Sequence, residues 1–164
     1  PYQKSRILTF LNPERDPLGA GYQIIQSKIA IGSGGLFGKG FLNGSQSYLD
    51  YLPEKHTDFI YTLFSEEFGF FGSFFILLLY ALIIYRIIRI GNITRSNFGK
   101  LYCYGFGTAF FIYVVVNMMM VLGLLPIVGS PLPIMSYGGS SMMAIMFGLG
   151  IVMSCKIYRD VPVN

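Results

Sequence analysis

The sequence predicts an all-α polytopic membrane protein, with a large polar N-terminal loop followed by three transmembrane helices. Three observations carry this. The 164 residues are 53% hydrophobic, with a mean hydropathy of +0.56. Only 12% are charged, about half the share usual in soluble domains. The charges are also segregated: Leu101–Cys155 holds no Asp, Glu, Lys, Arg or His, while seven of the eight acids fall between Glu14 and Glu67. A soluble core does not need so long an uncharged run, whereas a bilayer span needs roughly 20 apolar residues.

Residues 1–58 are polar and turn-rich, with Asn12-Pro13 and Asp16-Pro17 as turn formers. Tyr22–Ile31 predicts a short amphipathic helix with Ile25 and Ile29 on one side and Gln26 and Lys28 elsewhere. The glycine-rich run GSGGLFGKGFLNG that follows permits left-handed turns and close approach of a ligand or another chain segment. Spans are expected at 68–88, 101–125 and 133–155. Arg86, Arg89, Arg95 and Lys100 bracket the first connection, 89–100, and Lys156 and Arg159 lie in the tail, 156–164. The net charge of +4 is therefore concentrated as at cytoplasmic helix ends, and points away from nucleic acid. The connection 126–132 and residues 1–67 then fall on the extracytoplasmic side. The chain opens at Pro1, with neither an initiator Met nor a signal-peptide pattern, and is expected to be a piece of a longer protein.

Glu54, Lys55, His56 and Asp58 crowd together just ahead of the first span. A helix starting near Pro53 would place Asp58, Thr62, Ser65 and Glu66 within about a third of its circumference, at 100° per residue, with Phe59, Leu63 and Phe64 facing away. Two readings stand: a solvated interfacial helix end, or a polar cleft at membrane level, where acids are functional candidates. Other chemistries fit poorly. One His and two Cys in apolar runs do not make a usual zinc site, and Cys103 and Cys155 are expected to form no disulfide and do no thiolate chemistry. The glycine run fails as a phosphate loop, because Gly38-Lys39 is followed by Gly40 where Ser or Thr is needed. Met118–Met120 reads as packing. Asn117 is polar within a span, and Ser136, Gly138, Gly139, Ser140 and Ser141 suit either close helix approach or a cavity lining.

The stretches NPERDPLGAGYQIIQSKIAIGSGGLFGKG, LPEKHTDFIY with SEEFGFFG, and NMMMVLGLLPIVGSPLPIMSYGGSS resemble the SEDS family of bacterial shape, elongation, division and sporulation proteins. The first stretch and the HTDFI core are more similar to its RodA-like branch than to the FtsW-like one. Ser130 departs from the aliphatic residue of the family pattern. The resemblance covers nearly the whole chain. It implies the C-terminal part of a roughly ten-helix fold in the bacterial cytoplasmic (inner) membrane. It also implies a peptidoglycan glycosyltransferase that polymerises lipid II into glycan strands during cell elongation and rod-shape maintenance. The family's essential acid matches Asp58, expected to act as general base. Lys28, Lys39 and Lys55 are candidates for the leaving pyrophosphate, and Glu54, His56, Glu66 and Ser136 for substrate positioning. No cofactor is assigned; a divalent cation stays open, with no metal ligand set. The implied partners are lipid II (the undecaprenyl-pyrophosphate-linked disaccharide pentapeptide), a class B penicillin-binding transpeptidase, the elongation proteins MreB, MreC and MreD, and membrane lipid. Two other readings are a lipid II flippase or transporter and a non-enzymatic scaffold that recruits the transpeptidase. The uncharged Leu101–Cys155 disfavours transport, which places ionisable groups near the bilayer midplane.

Overall fold

A computed structural model of the chain describes residues 20–41, 43–44 and 57–159. The described residues form four helices and no strand: α1 (Ala20–Ser33), α2 (Ile60–Ile93), α3 (Asn97–Val121) and α4 (Gly139–Ile157). By length and composition α2, α3 and α4 are each able to cross a membrane. Ser96 caps α3 by accepting the Gly99 N–H, as a serine does for the orphan amides of a first turn. The α4 helix begins at Gly139, and residues 133–138, included in the expected third span, form turn and extended chain instead. Pro131 and Pro133 cannot supply backbone N–H groups, and Ile134 takes a positive φ of 70°.

The main core lies between α2, α3 and the 126–135 connection, and includes Phe59, Tyr80, Phe110, Val114, Met118, Met120 and Leu132. Met118 and Met120 thus pack in the core, as the sequence reading expected. A second cluster of Ile87, Cys103 and Val152 joins α2, α3 and α4 at the other end, and both cysteines are free thiols. Small residues set the helix separations: a Cβ at Gly107 would meet Ile87, and one at Gly148 would run into the Phe106 ring. Much apolar surface faces outward, including Phe70, Phe71, Phe74 and Phe75. Such a surface suits lipid or neighbouring helices rather than water.

The α1 helix differs from the sequence expectation in its buried face. Ile24, Ser27 and Ala30 are buried, whereas Ile25 and Ile29 are 40% and 50% exposed. The reason is a close approach to the end of α3. The Ser27 hydroxyl lies 2.9 Å from both the Ile24 and Val121 carbonyls, so it satisfies an acceptor that the end of α3 leaves open. Larger residues at 27 or 30 would hold the helices apart.

The α2 helix is broken at Gly69, which takes φ 66° and ψ −161°, a conformation essentially reserved for glycine. A break strands carbonyls on one side and amides on the other. The glycine-rich loop meets both sets. Lys39 N–H and Gly40 N–H donate to the carbonyls of Glu66 and Glu67, each at 3.0 Å. Phe70 N–H and Phe71 N–H donate to the carbonyls of Gly35 (2.9 Å) and Leu36 (3.3 Å). Ser73 Oγ adds a bond to Gly69 O at 2.8 Å. The contacts leave no room for side chains, because a Cβ at Gly34, Gly38 or Gly69 would strike the facing backbone. The fold uses these glycines in both ways the sequence allows: Gly35, Gly38 and Gly40 take positive φ of 56°, 79° and 95°, and Gly34 and Gly38 admit the close approach of another chain segment. Gly69→Ala is expected to destabilise the protein by roughly 1–3 kcal/mol from backbone strain alone, before the clash with the loop is counted. Thermal unfolding in detergent, with Gly105→Ala at an uncrowded helical position as the control, checks this.

Candidate active site

The chain enters α2 through a turn at 57–59, and the helix proper starts at Ile60. The helix start expected near Pro53 lies outside the described residues; the turn at 57–59 means that Asp58 precedes α2 instead of lying on it. The Thr62 and Leu63 amides turn back to Phe59 O. The carbonyls of Thr57 and Asp58 are thereby free of the helical ladder, and two side chains from distant segments hold them. Asn117 Nδ2 donates to Asp58 O at 3.0 Å and to Ser130 O at 2.6 Å. Both partners are carbonyls, so the amide nitrogen must be the atom facing them. Ser136 Oγ donates to Thr57 O and accepts the Leu132 N–H, both at 2.6 Å. Phe59, fully buried, pins the next residue in the core.

The half-buried Asp58 side chain projects towards the 126–135 connection, where a Cβ on Gly129 would lie 3.4 Å from its Oδ2. Gly129 has φ 73°, so a side chain there is disfavoured, and the connection runs close beside the carboxylate. The same connection is braced from below: Tyr80 donates to Pro133 O at 2.5 Å. Ile134 is held there in the left-handed region, which costs a β-branched residue strain. Beside the connection lies a cavity of about 480 Å³ between α3 and α4, lined by apolar side chains including Phe106, Phe110 and Ile145, with Ser130 and Ser141 at its wall. Asn117 Oδ1 and Ser130 Oγ are buried with no hydrogen-bond partner among the described residues.

The other candidates fall in three places. Lys39 and Glu66 meet each other, Nζ to Oε1 at 2.7 Å, with Glu66 fully buried and Lys39 30% exposed. Lys28 is exposed on α1, its stem lying over Gly123, where a Cβ would come within 2.8 Å of Nζ. Glu54, Lys55 and His56 lie outside the described residues. Thr62, Ser65 and Glu66, read from the sequence as a polar stripe, do share one side of α2, but that side is buried. Sequence reasoning singled out Ser136 and noted Asn117, yet missed that both converge on the residues around Asp58. The only signal was a carboxamide in an otherwise apolar span. Among the described residues no cluster of His, Cys, Asp and Glu suits a metal ion.

Comparison with known proteins gives this arrangement a setting. The sequence profile of FtsW/RodA/SpoVE, described as a cell cycle protein family, matches residues 1–160. The chain is 53% identical over 158 residues to the peptidoglycan glycosyltransferase MrdB of Escherichia coli K12, covering 96% of this chain and 43% of that protein. It is 47% identical over 154 residues to the peptidoglycan glycosyltransferase RodA of Treponema pallidum (strain Nichols), covering 94% and 36%. Its fold matches a solved structure described as the structural coordination of polymerization and crosslinking by a peptidoglycan synthase complex. That match has a TM-score of 0.78 and 34% identity, and covers 98% of this chain and 43% of the other. The chain thus spans about two fifths of the length of the relatives it matches. With three membrane-capable helices and this similarity along almost its whole length, the chain is an integral membrane protein that belongs to the FtsW/RodA/SpoVE, or SEDS, family and is RodA-like within it.

Proposed function

We propose that the protein containing this chain is a peptidoglycan glycosyltransferase that polymerises lipid II on the outer face of the bacterial cytoplasmic membrane, with Asp58 as its general base. The observation that carries this reading is a half-buried carboxylate whose backbone is clamped on both sides, by Asn117 and Ser136, in a chain 53% identical to a peptidoglycan glycosyltransferase. Asp58 takes the proton of the acceptor GlcNAc 4-hydroxyl as that oxygen attacks C1 of the donor MurNAc. The C1–O bond to the lipid pyrophosphate breaks, and the pyrophosphate leaves with the electron pair. A clamped backbone suits this role, because a general base must be held within hydrogen-bond reach of the proton it removes. The buried, unpartnered Asn117 Oδ1 and Ser130 Oγ suit an ordered water, and the neighbouring cavity suits the first isoprene units of a lipid carrier.

Of the candidate cations, Lys28 has the exposed ammonium suited to a leaving pyrophosphate, and Lys55 remains a second. Lys39, paired with Glu66, is assigned instead to holding the glycine loop on the α2 break. His56 and Glu54 are proposed as positioning groups beside Asp58. The reading places residues 1–67 outside the cell, because the basic ends of α2 and α4 mark the cytoplasmic side.

A crosslinking partner follows from the matched synthase complex, and we assign it as a class B penicillin-binding transpeptidase, with MreB, MreC and MreD as the wider elongation machinery. The partner's membrane helix is placed in the open groove of about 530 Å³ between α2 and α3, lined by Leu77, Ala81, Ile84, Val115 and Met119 among others. Apolar walls without charge suit a single membrane helix better than a polar substrate.

With the full-length protein, its transpeptidase partner and lipid II, Asp58→Asn is expected to fold and bind the partner yet lose roughly 10²–10⁴-fold in glycan synthesis, the range a positioned base supplies; normal polymerisation by the folded variant would remove Asp58 from the chemistry and return its charge cluster to a solvated chain end. Ala81→Trp, which fills the α2–α3 groove, should weaken co-purification of the transpeptidase without lowering the protein's own thermal stability. Lys39→Met should lower thermal stability, because it strands the buried Glu66 carboxylate. The double variant Lys39→Met/Glu66→Gln should be more stable than Lys39→Met alone, a comparison read by melting in detergent.

A further inference from the structure

At the end of the bundle away from Asp58, the C-terminal ends of α2 and α4 enclose a pocket of about 330 Å³. Arg86 and Arg89 reach it from α2, Lys156 and Arg159 from the end of α4, over a wall of Ile90, Ile93 and Met153. Among the described residues no carboxylate lines it, and residues 68–159 contain no Asp or Glu. The preference of membrane proteins for cations on the cytoplasmic side accounts for basic residues at this end. It does not account for their convergence, from helix ends some 70 residues apart in sequence, into one concave site, where like charges repel.

The walls of the pocket are built and held. Thr94 Oγ1 donates to Ile90 O at 2.8 Å and lies 3.4 Å from Cys155 O, joining α2 to α4. Arg95 N–H donates to Arg159 O at 3.1 Å. Gly99 lets α3 close in on the same junction, since a Cβ there would meet Thr94 at 2.7 Å and Cys155 Sγ at 3.4 Å. Arg86 lies seven residues before the end of α2, about 10 Å along the helix axis. The cations thus span a depth range that begins inside the apolar layer, where a soluble anion would have to leave water.

We propose that this pocket binds the phosphate headgroup of an anionic phospholipid, with Arg86, Arg89 and Lys156 holding the phosphate and Ile90, Ile93 and Met153 packing against the first acyl carbons. Basic pockets between membrane helices recognise lipid headgroups by this combination of charge and apolar wall. The inference rests on the chain being an integral membrane protein and is independent of the glycosyltransferase reading.

The test is native mass spectrometry of the full-length protein in detergent, with phosphatidylglycerol, cardiolipin, phosphatidylcholine or inorganic phosphate added separately. The two anionic lipids should be retained and phosphatidylcholine lost. Arg86→Gln/Arg89→Gln should weaken retention about tenfold or more, whereas Arg95→Gln/Lys100→Gln, which removes the same charge outside the pocket, should leave it unchanged. Arg86→Lys/Arg89→Lys should keep most of the binding, which separates lost charge from lost fold. If the Gln pair fails to fold, Lys156→Gln carries the same comparison. Equal losses from both Gln pairs, or equal retention of phosphatidylcholine, would overturn the proposal. Stabilisation by inorganic phosphate with no lipid retained would overturn the lipid as ligand and leave a soluble-anion site.

Discussion

The carboxamide of Asn117 is the interaction on which the arrangement around Asp58 depends. It is fully buried on α3, and its two N–H groups reach the carbonyls of Asp58 and Ser130. The turn before α2, the end of α3 and the connection that follows it are thereby joined at one nitrogen. In an apolar setting this tie is strong for a simple reason: a backbone carbonyl that loses its partner finds no water to replace it. Ser136 repeats the device one residue earlier, at Thr57. The acid is thus presented on a stretch of chain that precedes α2 yet is held on both sides, with a glycine beside it.

The strain at Ile134 belongs to the same construction. A β-branched residue at positive φ persists only where its surroundings over-determine it. Here Tyr80 holds the preceding carbonyl, and Ser136 bonds back to the Leu132 amide while its own amide donates to Leu132 O. The connection between α3 and α4 is consequently a rigid shelf beside the acid, with a small-molecule-sized cavity against it.

Some of this was legible in the residues and some was not, for identifiable reasons. The three long helices announce themselves because charge is excluded over most of their length, and Asp58 stands out through its motif. The buried face of α1 was misread because Ile25 and Ile29 are the larger apolar residues, whereas the packing selects Ser27 and Ala30 for their size and for one hydroxyl. Asp58 was placed on the helix because nothing in the local sequence signals a turn at 57–59, where the carbonyls of Thr57 and Asp58 are taken by tertiary partners 79 and 59 residues away. The Lys39–Glu66 pair joins residues 27 apart, and two candidates for substrate contact turned out to be each other's partner. Nothing local in a single sequence signals such pairings.

The break at Gly69 also divides the chain into two stages of assembly. Residues 70–93 make about 36 Å of unbroken helix at 1.5 Å per residue, enough to cross a bilayer without help from anything upstream. The shorter limb, residues 60–68, has the carbonyls of Glu66 and Glu67 completed by amides of the glycine loop, a segment synthesised earlier. Membrane insertion can therefore precede the closing of the loop over the break, and the loop can open without drawing the long limb out of the bilayer. The glycine seam acts as a joint between a limb long enough to be anchored by lipid and a part anchored by hydrogen bonds and by the buried Phe59, and the acid stands on the second.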